Sequence, residues 1–534
     1  MTLRAYVAAV VLLASGAGGA AAPASAPAVA PIAWQDWSDG AFDRARADGR
    51  LVLLDLGAVW CHWCHVMEET TYRDPEVVAL VQSRFVAVRV DQDARPDLSN
   101  RYEDYGWPAT VVFDAAGQEL VKFQGYIEPE RMRALLRAVV ADPTPGPSVT
   151  EAAKPSESAG ATLTDAERRE LAGILVNRYD RKRGGWGGSH KYLDWDSVEY
   201  CLLRAREGDR VAEHMARETL DRETKLIDPV WGGVYQYSDS GDWDHPHFEK
   251  IMSMQAEDLR IYALAYAQWG DARYLQAARD IRRVLTTFLR SSEGAFYVSQ
   301  DADVVQGEHS AAYFALGDAP RRARGLPRVD THLYARETAW AGTGLLALQA
   351  ATGEDALLAD ARKAGEWIVA ARALDGGGFR HDSADAAGPY LGDSVAAARL
   401  FLGLYAATGE RVWLERTETT LAFIARRFRR EGTAGLVTAA AAGPHDTPLP
   451  QRDENIQVAR VANLAFRYSA NPAFGALADE ALRYLSLPEV ARRFNTGGVL
   501  LADAERAREP LHVTVVGARG DPMARALLAA ARRE

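Results

Sequence analysis

The chain has 534 residues, of which 48% are hydrophobic and 25% charged, values that exclude wholesale disorder and a polytopic membrane protein. Its length exceeds what one hydrophobic core supports, so at least two domains are expected. A formal net charge of −11 repels phosphate and excludes a generic nucleic-acid binder, and three cysteines are too few for a disulfide-stapled scaffold.

Residues 1–26 read as an export signal. Arg4 supplies the positive charge, residues 5–14 form an apolar stretch too short to span a bilayer, and Ala20-Ala21-Ala22 or Ala24-Ser25-Ala26 suits cleavage. No later run of about 18 apolar residues occurs, so a mature chain without membrane insertion is expected, in an oxidising setting where a cysteine pair can hold a disulfide.

Strand and helix patterns then alternate. Residues 51–57 form a short apolar strand, followed by Trp60-Cys61-His62-Trp63-Cys64-His65 and a helical segment through Met67 and Glu69. Asp74-Pro75 is an N-cap with proline at the first helical position, opening a helix over 76–83. Residues 85–91, 110–113 and 120–123 are further strands, with Ala116-Gly117 as a turn between the last two, and 128–141 is a closing amphipathic helix. This order predicts an α/β sheet with the cysteine pair at the carboxyl end of its first central strand.

On those residues the segment 32–141 resembles a thioredoxin fold. Trp60 precedes the Cys-x-x-Cys pair, Asp55 stands where that fold keeps a buried acid, Trp107-Pro108 stands where it places a cis proline beside the disulfide, and Gly117 and Gly125 fall at its later turns. The resemblance implies a redox site. Cys61 at a helix N-terminus is the attacking thiol, its pKa lowered by unpaired N–H groups and the helix dipole. Cys64 resolves the mixed disulfide. Protonated His62 favours the Cys61 thiolate, Asp55 accepts a proton from Cys64, the backbone beside Pro108 pairs with an incoming strand, and Trp60, Trp63 and Trp107 flank the substrate. The same string also fits c-type haem attachment, and Cys61, Cys64 and a histidine could hold zinc, but haem wants an enclosing helical domain and zinc a second ligand pair. No cofactor or metal is therefore expected. Cys201, on an apolar helix face with Val198, Leu202 and Leu203, reads as a buried structural thiol.

Residues 142–163 are rich in Pro, Ser, Gly and Ala and read as a linker. Thr164-Asp165-Ala166-Glu167 then offers a capping box for a helix to Tyr179. Over 164–534, helix-period segments alternate with six small-residue breaks before a bulky apolar residue, at 184–186, 232–234, 294–296, 376–379, 434–436 and 497–499. Six units that cannot each bury their apolar face predict a closed or stacked helical ring. This half resembles the (α/α)6 toroid of six-hairpin glycosidases. Together with Trp60-Cys-His-Trp-Cys-His-Val-Met-Glu68, Gly106-Trp-Pro108, His245-Pro-His-Phe-Glu-Lys250 and Gln300-Asp-Ala-Asp303, the chain resembles the spermatogenesis-associated thioredoxin-domain family. The chain departs from the family pattern after Lys250, where Ile251-Met-Ser-Met-Gln255 stands.

Two polar-aromatic segments single themselves out in the ring. His245, His247, Glu249, Asp301 and Asp303 are expected at its mouth, with Trp231, Tyr235, Tyr237 and Trp243. Carboxylates beside aromatics suit sugar stacking and acid–base chemistry. The leading expectation is an exported thiol–disulfide oxidoreductase acting on a protein or small-molecule disulfide or dithiol. The rivals are a carbohydrate-active or carbohydrate-binding toroid with a structural or regulatory thioredoxin unit, and an interaction protein with a static disulfide.

Overall fold

A computed structural model describes residues 30–102, 106–149, 160–441, 443, 445, 447–518 and 520–531; the expected export signal and much of the expected linker lie outside them. Helix α1 (Asp39–Asp48) leads into β1 (Leu51–Gly57), α2 (His62–Glu69), α3 (Pro75–Arg84), β2 (Phe85–Asp91), α4 (Pro96–Arg101), β3 (Ala109–Phe113), β4 (Glu119–Gln124) and α5 (Pro129–Ala141). The four strands form one mixed sheet in the order β2-β1-β3-β4, with β1–β2 parallel and the other pairs antiparallel. β1 is central, apolar and buried along its length, as a strand covered on both faces must be. This is a thioredoxin-like sheet, and α2 starts at the carboxyl end of β1. The Asp74 carboxylate accepts the amides of Glu76 and Val77, which fixes the start of α3 as its Asp-Pro signature predicts. Beyond α5 the chain runs back along the sheet edge, Gly146 N–H donating to the Leu120 carbonyl.

The rest is helical. Helices α6 (Asp165–Arg178), α7 (Trp195–Arg206), α8 (Arg210–Glu223), α9 (Met252–Trp269) and α10 (Ala272–Thr287) are followed by two short ones, α11 (Ala311–Phe314) and α12 (Asp318–Arg324). Then come α13 (Ala335–Thr352), α14 (Asp355–Arg372), α15 (Leu391–Thr408), α16 (Arg411–Arg427), α17 (Arg452–Ser469), α18 (Pro472–Leu485), α19 (Pro488–Ala491) and α20 (Gly497–Ala507). The packing closes a circle: α7, α9, α13, α15, α17 and α20 each touch the next, and α20 returns to α7. Outside them α8, α10, α14, α16 and α18 each back their own inner helix, while α6 backs α20 and so joins the two ends of the ring. The capping box of Thr164 and Glu167 starts α6, and Arg168 binds Asp503 on α20 at 2.6 Å. This is the expected α/α toroid.

One local device repeats around it. The fourth residue of four inner helices reaches back to hold the backbone of the bulky residue after the glycine turn: Gln255 on Val234, Thr338 on Phe296, Ser394 on Phe379 and Asn455 on Leu436. Each bond satisfies a buried amide that the turn leaves without a ladder partner. The sixth glycine break differs in kind. Gly497 and Gly498 open α20, and a Cβ on Gly497 would stand 2.5 Å from the Cα of Ser197, so these glycines serve the closure of the ring on α7 and form no turn.

The sheet unit sits against the ring mouth. On the ring, β5 (Tyr237–Ser238) and β6 (Pro246–His247) form a hairpin, and three short strands, β7 (Lys250–Ile251), β8 (Ser299–Gln300) and β9 (Val329–Asp330), pair side by side and face the sheet unit. Other contacts cross nearby. His381 meets the Asp93 carbonyl at 2.7 Å, Asn100 donates to Thr438, and the Phe42 ring stacks on His445.

Candidate redox site

Cys61 caps the N-terminus of α2, and its sulfur, bonded to that of Cys64, accepts the Cys64 amide. Gly57, the last residue of β1, makes room beneath: a Cβ there would stand 3.2 Å from the Cys64 sulfur. Trp60 donates its indole N–H to Asp93 at 2.7 Å, and the Trp107–Pro108 peptide is cis, as the thioredoxin resemblance implies. Trp60 and Cys61 form a small apolar cluster against which Cys64, Trp107 and Ile251 pack. Ile251 comes from the ring. Cys61 is accordingly only 4% exposed, a difference from the solvent-open thiol that a bare helix tip suggests.

The ring also grips the two histidines. Asp303 takes His62 Nδ1 on one oxygen at 2.7 Å and His65 Nδ1 on the other at 3.1 Å, and it also accepts the Gly307 amide. His65 Nε2 meets the Val59 carbonyl, so both its nitrogens face acceptors and the ring is held as imidazolium. Burial opposes the charge on both histidines, but the Asp303 bonds and the neighbouring Glu249 and Asp301 outweigh it and raise their pKa values. The same pairing overcomes burial at Asp303 and holds it at about 2. Burial pushes Asp301 and Glu249 the other way, each up to about 7. Glu249 Oε1 accepts the His62 amide at the tip of α2, while no donor among the described residues reaches Oε2.

Asp55 is buried in β1 and tied up. Arg89, its partner across β1 and β2, donates to it at 2.9 Å, and Tyr72 donates to its other oxygen. Burial still raises its pKa against the pull of Arg89. His62, expected to act on the Cys61 thiolate, spends its charge on Asp303.

The remaining expected residues separate. Glu249, Asp301 and Asp303 meet the disulfide helix. Trp231 and Tyr235 are buried instead in an aromatic nest with Phe314 around the fully buried ions Asp228, Lys250 and Arg321. His247 stacks on Tyr237, and His245 stands in solvent beside Asp242. Cys201 is buried as expected, its thiol pKa pushed far up by burial. His65, Asp301 and Asp303 are the set among the described residues whose ligand atoms lie within 4.8 Å of one another, close enough for a metal ion, although in this arrangement Asp303 already accepts three donors.

Above the disulfide a cavity of 510 Å³ lies between the two halves, with Trp63, Trp107 and Tyr126 on the sheet side and His190, Tyr237 and Glu249 on the ring side. It shares Trp60, Trp107, His190, Gln236 and Tyr237 with a recess of 440 Å³, which in turn shares Trp195, Ser253, Arg336 and Trp340 with a cavity of 240 Å³ in the ring. That inner cavity holds residues sequence reasoning missed: Glu257, Arg260, Arg399 and Arg460 in an ion-pair network with Glu199, and Asp196, which burial and Asp453 raise to about 7. The available signal was the polar run Gln255, Glu257, Asp258 and Arg260 in the buried first half of α9.

Comparison with known proteins agrees with this layout. Residues 25–140 match a family model described as Thioredox_DsbH, protein of unknown function, DUF255. Spermatogenesis-associated protein 20 of Mus musculus is 28% identical over 308 residues, 51% of this chain and 39% of that protein, so the match spans well under half of the relative. The thiol:disulfide interchange protein DsbD of Ralstonia nicotianae is 36% identical over 117 residues, 21% of this chain and 19% of its own. Among solved structures a D-mannose isomerase superposes with a TM-score of 0.49 at 12% identity, covering 66% of this chain and all of that one. The family model falls on the N-terminal thioredoxin-like unit, and the helix packing itself shows the toroid that follows it. No helix among the described residues is long and apolar enough to cross a membrane.

The Asp303 grip is pH-dependent. His62 and His65, with raised folded pKa values, contribute fully below their ordinary 6.5 and lose that contribution as pH rises through the raised values. Glu249 and Asp301, held near 7, add a burial cost that grows over pH 4 to 7, while Asp303 contributes steadily above its ordinary 3.8. Amide hydrogen exchange in α2 of the oxidised protein, taken relative to the intrinsic base-catalysed rate at each pH, should therefore quicken from pH 5 to pH 8. Asp303→Asn should quicken it about 10- to 100-fold at pH 6, the worth of one or two buried charge-assisted bonds; unchanged protection would contradict the assignment.

Proposed function

We propose that the protein is a thiol–disulfide oxidoreductase of the Cys-x-x-Cys type. The observation that carries this reading is the Cys61–Cys64 disulfide at the tip of α2, packed by Trp107 and opening on a lined cavity. In the reduced state the Cys61 thiolate is favoured by the α2 dipole and the Cys64 amide, attacks a substrate disulfide, and is released when Cys64 closes the protein disulfide. Trp60, Trp63 and Trp107 wall the substrate's path. The division proposed is 32–141 for the redox unit, 142–163 for a linker and 164–534 for the ring, with export through residues 1–26 giving the oxidising setting.

Glu249 is the proton carrier in this reading. With Asp55 held by Arg89 and Tyr72, Glu249 is the carboxyl that faces the cavity beside Cys61, and a group that titrates near 7 both gives and takes a proton at neutral pH. It gives its proton to the first departing thiolate, takes one from Cys64, and passes that on to the second.

Cys61→Ser should abolish dithiol-dependent reduction of a disulfide substrate, and persisting turnover would end the proposal. Glu249→Gln should slow that turnover and remove an ionisation near pH 7 from its pH–rate profile, whereas superimposable profiles would return the proton to Asp55 or to solvent.

A second reading is favoured by the ring cavity alone. Asp196, raised to about 7 by burial and the Asp453 charge, lines this cavity with Asp453, Trp195 and Trp340, and a carboxyl so raised is what a general acid for sugar chemistry requires. Turnover or binding of a sugar panel that survives Cys61→Ser and fails in Asp196→Asn would support it; a panel neither bound nor turned over would remove it.

A further inference from the structure

The ring changes what can reach the disulfide. Cys61 is 4% exposed, Pro108 is buried, and Ile251 of the ring packs against the cluster around the sulfurs. A stable contact with a folded protein needs about 800 Å² of open surface on each partner, and the face around Cys61 is occupied by the ring. What remains is the 510 Å³ cavity, within the range of about 300–1,000 Å³ typical of small-molecule sites. Its entrance carries Trp63, 40% exposed and stacked on Tyr126.

The recess behind it has a chemical preference. Glu337, 2% exposed, lines it; Oε1 accepts Arg336, and no donor among the described residues reaches Oε2. Asp93, on the same wall, is 4% exposed and takes the Trp60 indole. Asp91 and Asp393 stand close to these groups. Against these acids stand Arg336, which Glu337 already engages, His381, which Asp393 engages, His332, which Asp330 engages, and His190 on the far wall with Tyr237. An unengaged, buried carboxylate oxygen in acid-rich surroundings is an acceptor for a cation.

Resting on the oxidoreductase reading, we propose that the substrate is a low-molecular-weight disulfide carrying an ammonium group, with its disulfide over Cys61 in the aromatic cleft and its ammonium on Glu337. The chemistry balances within the protein and substrate. The Cys61 thiolate attacks one sulfur of RSSR, forming Cys61–S–SR and releasing one thiolate. Cys64 then attacks the Cys61 sulfur, closing the protein disulfide and releasing the second. Two electrons pass to the substrate, and the two protons, one from Glu249 and one from Cys64, end on two RSH. An external dithiol reduces the protein again.

The test uses the full chain, reduced with dithiothreitol and desalted, and follows loss of the Cys61 and Cys64 thiols on mixing with cystamine, bis(2-hydroxyethyl) disulfide, dithiodiglycolate or insulin. Each rate constant is divided by that of the same disulfide with free dithiothreitol, which removes intrinsic reactivity. The expected order is cystamine over dithiodiglycolate by about 10-fold, the worth of one charge-assisted contact, and insulin slowest. Glu337→Gln should bring the cystamine-to-dithiodiglycolate ratio towards one. Insulin within a few-fold of cystamine, or no preference for cystamine over the dianion in the unmodified protein, overturns this inference while leaving the oxidoreductase reading intact. Oxidation by none of the four would take down both.

Discussion

One carboxylate sets the geometry of the site. Asp303 stands on the loop after β8 and holds two histidines that belong to the Cys-His-Trp-Cys-His segment of another unit. That carboxylate is the main support of both histidine charges, and their bonds, with that of the Gly307 amide, keep it ionised in its buried place. The pair therefore acts as a registry device. It brings the tip of α2 against β7 and β8, sets Glu249 on the first amide of α2, and roofs the disulfide with Ile251 and Tyr237. A thioredoxin-like unit alone would present its sulfurs to any partner. Here the partner surface is already taken.

The ring is built to make that roof firm. Its inner helices are buried on nearly every side and so carry Ala, Leu and Gly where outer helices carry alternating polar faces. The polar residue at the fourth position of α9, α13, α15 and α17 ties each helix start to the turn before it, and the loops at this end bear the residues that meet the sheet unit. Several buried acceptors of this boundary, in Glu249, Gln300, Asp330 and Glu337, have no donor among the described residues.

Local signals were legible in the sequence and distant ones were not. The apolar runs of β1 and β2, the Asp74-Pro75 start of α3 and the capping box of α6 each declare themselves within a few residues, and the structure places them as expected. Helix α1 escaped because only Ala41, Phe42 and Ala45 mark its buried face, and α4 because six residues hold too little pattern. Five of the glycine breaks are turns, but the sixth is a close helix approach, which composition cannot distinguish. In the site, Cys61 and Cys64 were readable locally, and Pro108 only through the thioredoxin resemblance. The roles of Asp303 and Glu249 were not, since 241 residues separate Asp303 from His62 and 187 separate Glu249 from it. Asp55 was readable as a buried acid, but its cross-strand partner Arg89 emerges only once β1 and β2 are in register. The acidic and aromatic residues grouped by sequence at the ring mouth prove to serve three ends: the grip on α2, a buried ionic nest around Lys250, and an exposed hairpin carrying His245.

The account stands on the Cys61–Cys64 bond being opened and closed in use, and its equilibrium with a graded thiol–disulfide buffer measures that directly. Alkylation and mass analysis of the full chain should show a single reversible two-electron transition of this pair between about −270 and −120 mV, the span of working Cys-x-x-Cys proteins, with Cys201 unreacted throughout. A pair that stays bonded below about −300 mV, as structural disulfides do, would contradict the account.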